Sequence, residues 1–185
     1  AAEQLANQVA ASLGQGEAAP TMPEVMPLTA PQTVKIDFPS GQSHILMGQT
    51  GNKRGDPDYY VMYLGNQILG GGGFTSRLTK EVRNERGLSY SVYSYFAPRA
   101  QLGAFQIGLQ TKHEQTEEAL KVVRDTIKRF QDEGPTEVEL VAAKKDITGG
   151  FPLRTASNSQ IVGYLGTIGF YKLPLDYLDT FTDQV

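Results

Sequence analysis

The four consecutive glycines Gly70 to Gly73, together with Gly87, bracket one short helical segment and constrain this chain more than any other feature. Glycine lacks a Cβ and adopts positive φ at little cost, so a run of glycines ends one helix and permits a sharp entry into the next, while a single glycine favours a left-handed helix stop. The stretch LGGGGFTSRLTKEVRNERGLSYSVYSYF, Leu69 to Phe96, therefore predicts a helix over residues 76–86, a reversal at Gly87 and a strand over residues 89–97. It places Arg83 in the last turn of that helix and Tyr90 at the start of the strand, at the two ends of one tight corner.

The rest of the chain organises itself around this corner. Leu5, Val9 and Leu13 share one helical face before Gly14 and Gly16 end the pattern. Residues 17–32 form a proline-rich connector, in which Pro20, Pro23, Pro27 and Pro31 remove backbone donors and hold the chain extended. Val34, Ile36 and Phe38 then alternate with Lys35 and Asp37, the period of a strand, and a second strand is expected over 43–49. Asp56 with Pro57 signals a helix start, followed by the stripe Tyr60, Leu64 and Ile68. Phe105, Ile107 and Leu109 alternate with Gln106, Gly108 and Gln110, so residues 89–97 and 103–111 read as an antiparallel hairpin.

Two pairs with capping-box spacing, Thr111 with Glu114 and Thr136 with Glu139, predict two further helix starts. The first helix carries Leu120, Val123, Ile127 and Phe130 on one face. The second carries Leu140 and Ile147 and breaks at Gly149, Gly150 and Pro152. Helices over 157–171 and from 175 onward complete the chain. Strands followed by a hairpin among long helices predict an α+β fold, a largely antiparallel sheet with helices packed on one face, in a single domain spanning 1–185.

Composition removes several function classes. With 39% hydrophobic residues and a formal charge of -3 in 185 residues, the chain can bury a sizeable core but carries no basic footprint for nucleic acid. Its apolar runs fall well short of a membrane-spanning helix, so membrane insertion is not expected. The absence of cysteine removes disulfides, thiolate nucleophiles and cysteine-held metals. Only two histidines are present: His44 in a strand, and His113 in the sequence HEQTE, which lacks the second histidine that a zinc-binding helix needs. No GxSxG elbow is present, and the carboxylates Glu117, Glu118, Asp132 and Glu133 fall on the solvated faces of amphipathic helices.

Arg83 and Tyr90 remain as the candidate binding residues. A guanidinium offers five fixed donors to carbonyl or carboxylate oxygens, and a phenol adds one more that can stabilise an oxyanion. The plainer alternative is an arginine placed at a helix C-terminus by the dipole and a tyrosine filling a strand position. Gly70, Gly71, Gly72 and Gly73 also have two readings, a substrate-facing loop or a chain reversal; neither phosphate-loop pattern can be drawn through them.

The segment RGDPDYYVMYLGNQILGGGGFTSRLTKEVRNERGLSYSVYSYF, the hairpin GAFQIGLQT, the capped GPTEVELVAAKKDI and the closing LPLDYLDTFTDQV together resemble the non-catalytic C-terminal half of the pitrilysin-type (M16) zinc metallopeptidases. That resemblance implies the fold shared by processing peptidases and LuxS-like metallohydrolases, in which two related halves form a clamshell. One half carries an HxxEH zinc motif, and the other supplies an arginine and a tyrosine, here Arg83 and Tyr90, that hold the peptide. No HxxEH occurs in this chain, so the resemblance implies no metal or other cofactor here and zinc on a partner catalytic domain or subunit. It further implies a peptide substrate, a first strand lying upstream of Ala1, and, for a bacterial chain, a periplasmic location.

Overall fold

The structure, a computed structural model, describes residues 1–185. Three strands, β1 (Gln42–Thr50), β2 (Val92–Ala97) and β3 (Ala104–Lys112), form an antiparallel sheet in the order β1-β3-β2. β3 is central: Ile45 faces Leu109 on one side, and Val92 faces Leu109 on the other. The alternation in β3 divides the sheet into two faces. Ile107, Leu109 and Thr111 point into the core, while on the other face Tyr93 lies over Gly108, where any Cβ would meet its ring.

Helices cover only the first face. α1 (Ala2–Ser12), α2 (Tyr59–Asn66), α3 (Thr116–Glu133), α4 (Glu137–Gly150), α5 (Asn158–Tyr171) and α6 (Tyr177–Gln184) account for the α-helical structure. α3 buries Ala119, Val123 and Thr126 against the sheet, and the 77–88 segment adds Leu78, Val82 and Leu88 to the same core. A second core joins Ile147 of α4, Phe151, Ile168 of α5, and Tyr177 and Phe181 of α6, with Tyr60, Tyr63 and Leu64 of α2 packed on it. α2 links the two cores, because its continuation delivers Leu69 to the first.

Several boundaries differ from the sequence expectation. Residues 33–38 form no strand and pair with none, with Val34, Ile36 and Phe38 exposed, and α1 buries no residue; a period-2 pattern supplies strand propensity but not a ladder partner. The helix expected from Asp56 begins at Tyr59, with Asp56 Oδ1 instead accepting from the Asp58 amide. Thr111 is not a helix cap: it lies in β3 opposite Ser43, and its buried hydroxyl donates to Leu88 O at 2.6 Å. Strand register overrides the capping spacing there, and the helix begins after a 3-10 turn at His113–Gln115. The other capping box forms as expected, with Thr136 Oγ1 accepting from Glu139 N and Glu139 Oε2 accepting from Thr136 N. A further one, Ser157 with Gln160, starts α5. α4 ends at Gly150, where a 3-10 turn, Phe151–Thr155, takes over at the expected break.

Candidate functional site

The glycine run is divided by the fold. Gly70 and Gly71 close a π-helical turn, Gln67–Gly71, that extends α2, and Gly70 is buried where a Cβ would lie 2.8 Å from Ser94 N and from Leu78 Cδ1. The Gly72 amide donates to Gln67 O at 2.8 Å. Gly73, at φ +58°, then swings the chain into a 3-10 turn, Gly73–Thr75. Thr75 Oγ1 donates to Gly72 O and Ser76 Oγ to Gly73 O, each at 2.9 Å, which locks that turn.

The next segment begins as an α-turn and widens into a π-helix, Thr79–Asn84. Leu78 and Val82 are fully buried, each burial contributing about 2 kcal/mol, so the segment is pinned and Arg83 emerges from its outer side. Gly87, at φ +62°, donates to Arg83 O, and Leu88 donates to Val82 O, both at 2.9 Å, closing the reversal. Ser89 Oγ donates to Ser91 O at 2.6 Å and accepts from the Ser91 amide. That local loop leaves Tyr90 84% exposed beside the helix end.

Arg83 and Tyr90 do meet, face to face: the guanidinium carbon lies 4.6 Å from the centre of the Tyr90 ring. A third residue, which sequence reasoning missed, completes the arrangement. Phe74, 71% exposed, also lies over the guanidinium, its ring centre 4.7 Å from the guanidinium carbon. The nearby carboxylates are engaged elsewhere, Glu81 by Arg86 and Arg129, and Glu85 by Arg86 and Lys80. Arg83 thus packs against two aromatic rings, and its guanidinium makes no hydrogen bond or ion pair with a carboxylate of the fold. The only sequence signal for Phe74 was an apolar ring set directly between the glycines and the helix.

The other candidates separate from this corner. His113 sits at the sheet end, its ring hydrogen-bonded to Ser43 Oγ at 2.7 Å and to Ser40 O. His44 lies exposed on β1. No group of three or more His, Asp or Glu side chains is poised to hold a metal, so the donor set of this chain does not fit zinc. A cavity of about 680 Å³ lies on the helix-covered side of the sheet among Met47, Leu64, Phe96, Phe105, Ile127 and Phe130. It includes neither Arg83 nor Tyr90, and Lys144 is its one cationic side chain. Arg54 makes a tyrosine cluster, donating to Tyr59 OH at 2.6 Å and Tyr177 OH at 2.8 Å; burial pushes both phenols up to about 12, so they stay neutral and bracket α2 to α6. No helix is long and apolar enough to cross a membrane.

Comparison with known proteins places the fold. Residues 1–147 match the model of the family described as the peptidase M16 inactive domain. The chain belongs to that family. It is 34% identical over 125 residues to an uncharacterized zinc protease of Streptomyces coelicolor, covering 68% of this chain and 27% of that protein. It is 35% identical over 117 residues to a non-peptidase homolog of Helicobacter pylori, covering 62% of this chain and 27% of that protein. Among solved structures, an M16 inactive domain from Pseudomonas fluorescens superposes with a TM-score of 0.90 at 45% identity, over 99% of this chain and 43% of that one. The M16 inactive-domain chain is therefore an α+β domain of the zinc-protease type that itself lacks HxxEH, and it spans 27% of the length of these two relatives.

Proposed function

We propose that this chain is the substrate-binding, catalytically inert half of a zinc metalloendopeptidase, and that it holds an extended peptide over a zinc ion carried by another domain or subunit. The observation that carries the reading is the Arg83 guanidinium, stacked on an exposed Tyr90 with no carboxylate partner of its own. A structural arginine finds acceptors within its own fold; one held rigid by ring stacking with its donors unspent is prepared for acceptors from outside. Membership of the M16 inactive-domain family supports a zinc-bearing partner with the HxxEH motif. The sheet also supports an extended peptide, since β1 and β2 are its edges and neither has a strand outside it.

Reconstitution with the HxxEH-bearing half tests the reading. Arg83→Ala and Tyr90→Phe each lower turnover while the fold is retained; full activity in both variants would sink it. A second reading, an assembly module without a peptide role, draws on α5, where Val162, Leu165 and Phe170 are exposed beside the open glycines Gly163, Gly166 and Gly169. That reading requires Arg83→Ala to be silent and Val162→Asp with Leu165→Asp to disrupt association.

A further inference from the structure

We infer that Phe74, Arg83 and Tyr90 form a clamp selective for a carboxylate, so that the peptide held here carries an acidic side chain or a free C-terminus at this point; the inference rests on the peptide-holding reading above. The geometry distinguishes this from a general grip on backbone carbonyls. The Phe74 and Tyr90 rings each pack on the guanidinium, their centres 4.7 and 4.6 Å from its carbon, and hold its planar fork of donors in place. A planar group with two parallel acceptors matches that fork with two hydrogen bonds, whereas a single carbonyl oxygen matches it with one. The two rings replace part of the water around the guanidinium and so strengthen a charge-assisted pair formed with it.

Local charge points the same way. Glu81 accepts from Arg86 and from Arg129 at 2.6 Å, and Glu85 accepts from Arg86, so the acids nearest in sequence are neutralised by other cations. The clamp thus keeps a positive charge that the fold does not compensate. Phe74 acts as a positioning residue that packs a second ring on the guanidinium, and the glycine run gains a definite task. Gly73 takes the left-handed conformation that turns Phe74 over Arg83, and Thr75 and Ser76 hold that turn through their hydroxyls.

The test uses the purified chain and four fluorescein-labelled peptides of one sequence: internal Glu or Gln with a C-terminal amide, and internal Gln or Ala with a free acid. Fluorescence anisotropy gives each Kd, and melting temperature reports the fold. The expected result is about tenfold tighter binding of a carboxylate peptide than of its uncharged counterpart. Discrimination in the internal Glu/Gln pair identifies an acidic side chain as the source, and discrimination between the free acid and the amide of the Gln peptide identifies the C-terminus. Phe74→Leu, which keeps an apolar side chain but no ring, reduces the preference to about threefold or less at unchanged melting temperature. Equal binding of charged and uncharged peptides, with Arg83→Ala weakening all of them, overturns the carboxylate selectivity and leaves the peptide-holding reading in place. Unchanged binding in Arg83→Ala, or no binding of any peptide, overturns both, and a full preference in Phe74→Leu overturns the part assigned to Phe74.

Discussion

Arg77 and Arg83 leave the same short helical segment, and both guanidinium groups lie over aromatic rings, yet the fold treats them oppositely. Arg77, with its side chain 13% exposed, sits 5.1 Å from the centre of the Phe130 ring and spends its donors internally. Its Nε donates to Glu139 Oε1 and its Nη2 to Glu139 Oε2, both at 2.7 Å, and Nη2 also reaches Gly134 O. Glu139 in turn completes the Thr136 capping box, so this arginine fastens the start of α4 to the corner. Arg83 has equivalent stacking but no acceptor. The difference teaches that ring stacking alone marks neither a structural nor a binding arginine; what separates them is whether the fold supplies a carboxylate.

Substitution experiments can break or sharpen that contrast. The largest effect belongs to Arg83→Ala in the reconstituted peptidase, where turnover is expected to fall about 100-fold, since losing a charge-assisted contact to the bound peptide costs about 3 kcal/mol. Steady-state kinetics beside a thermal melt checks it, and the melt stays at the wild-type value. Arg77→Ala reverses the pattern, with about 2–3 kcal/mol of stability lost in urea unfolding because Glu139 is left part-buried without its partner, and no change in peptide affinity. Equal effects of the two substitutions on both readouts would erase the distinction.

A smaller effect comes from acid. The Arg77 hydrogen bonds, opposed by burial and helped by the Thr136 amide and hydroxyl, lower the Glu139 carboxyl from 4.5 to about 2. Because the folded value lies below the unfolded one, the stabilisation is complete above about pH 4.5 and disappears as pH falls towards 2. Its size is about 2 kcal/mol after allowance for a side chain 30% exposed. Glu139→Gln should flatten this part of the pH–stability curve, and a curve unchanged by that substitution contradicts the assignment. The smallest effect is expected for Tyr90→Phe, which keeps the ring under Arg83 and removes only a hydroxyl: about 1 kcal/mol, or a few-fold in turnover. A loss as large as that of Arg83→Ala would show that the phenol contacts the reacting atoms.

Much of the fold was legible because its signals are local. The alternation of Phe105, Ile107 and Leu109 identified β3, the spacing of Thr136 and Glu139 identified the start of α4, and Gly87 identified the reversal that joins Arg83 to Tyr90. The misreadings share one cause. Thr111 with Glu114 had the spacing of a cap, but the ladder opposite Ser43 claimed Thr111 for the sheet. Val34, Ile36 and Phe38 had the period of a strand but no neighbouring strand to pair with. Each outcome turned on a partner distant in sequence, which a short window cannot supply.

By itself, the sequence determined the hairpin and most of the helices, that the chain carries no HxxEH, and that Arg83 and Tyr90 flank one corner, since these depend on neighbouring residues and their spacing. The tertiary structure alone decided that Arg77 is neutralised by Glu139 while Arg83 is not, and that Phe74 joins Tyr90 over the Arg83 guanidinium. The physical reason is that stacking and charge pairing are set to within an ångström by how the turn at Gly73 and the packing of Leu78 and Val82 orient the segment, and no residue spacing encodes that orientation.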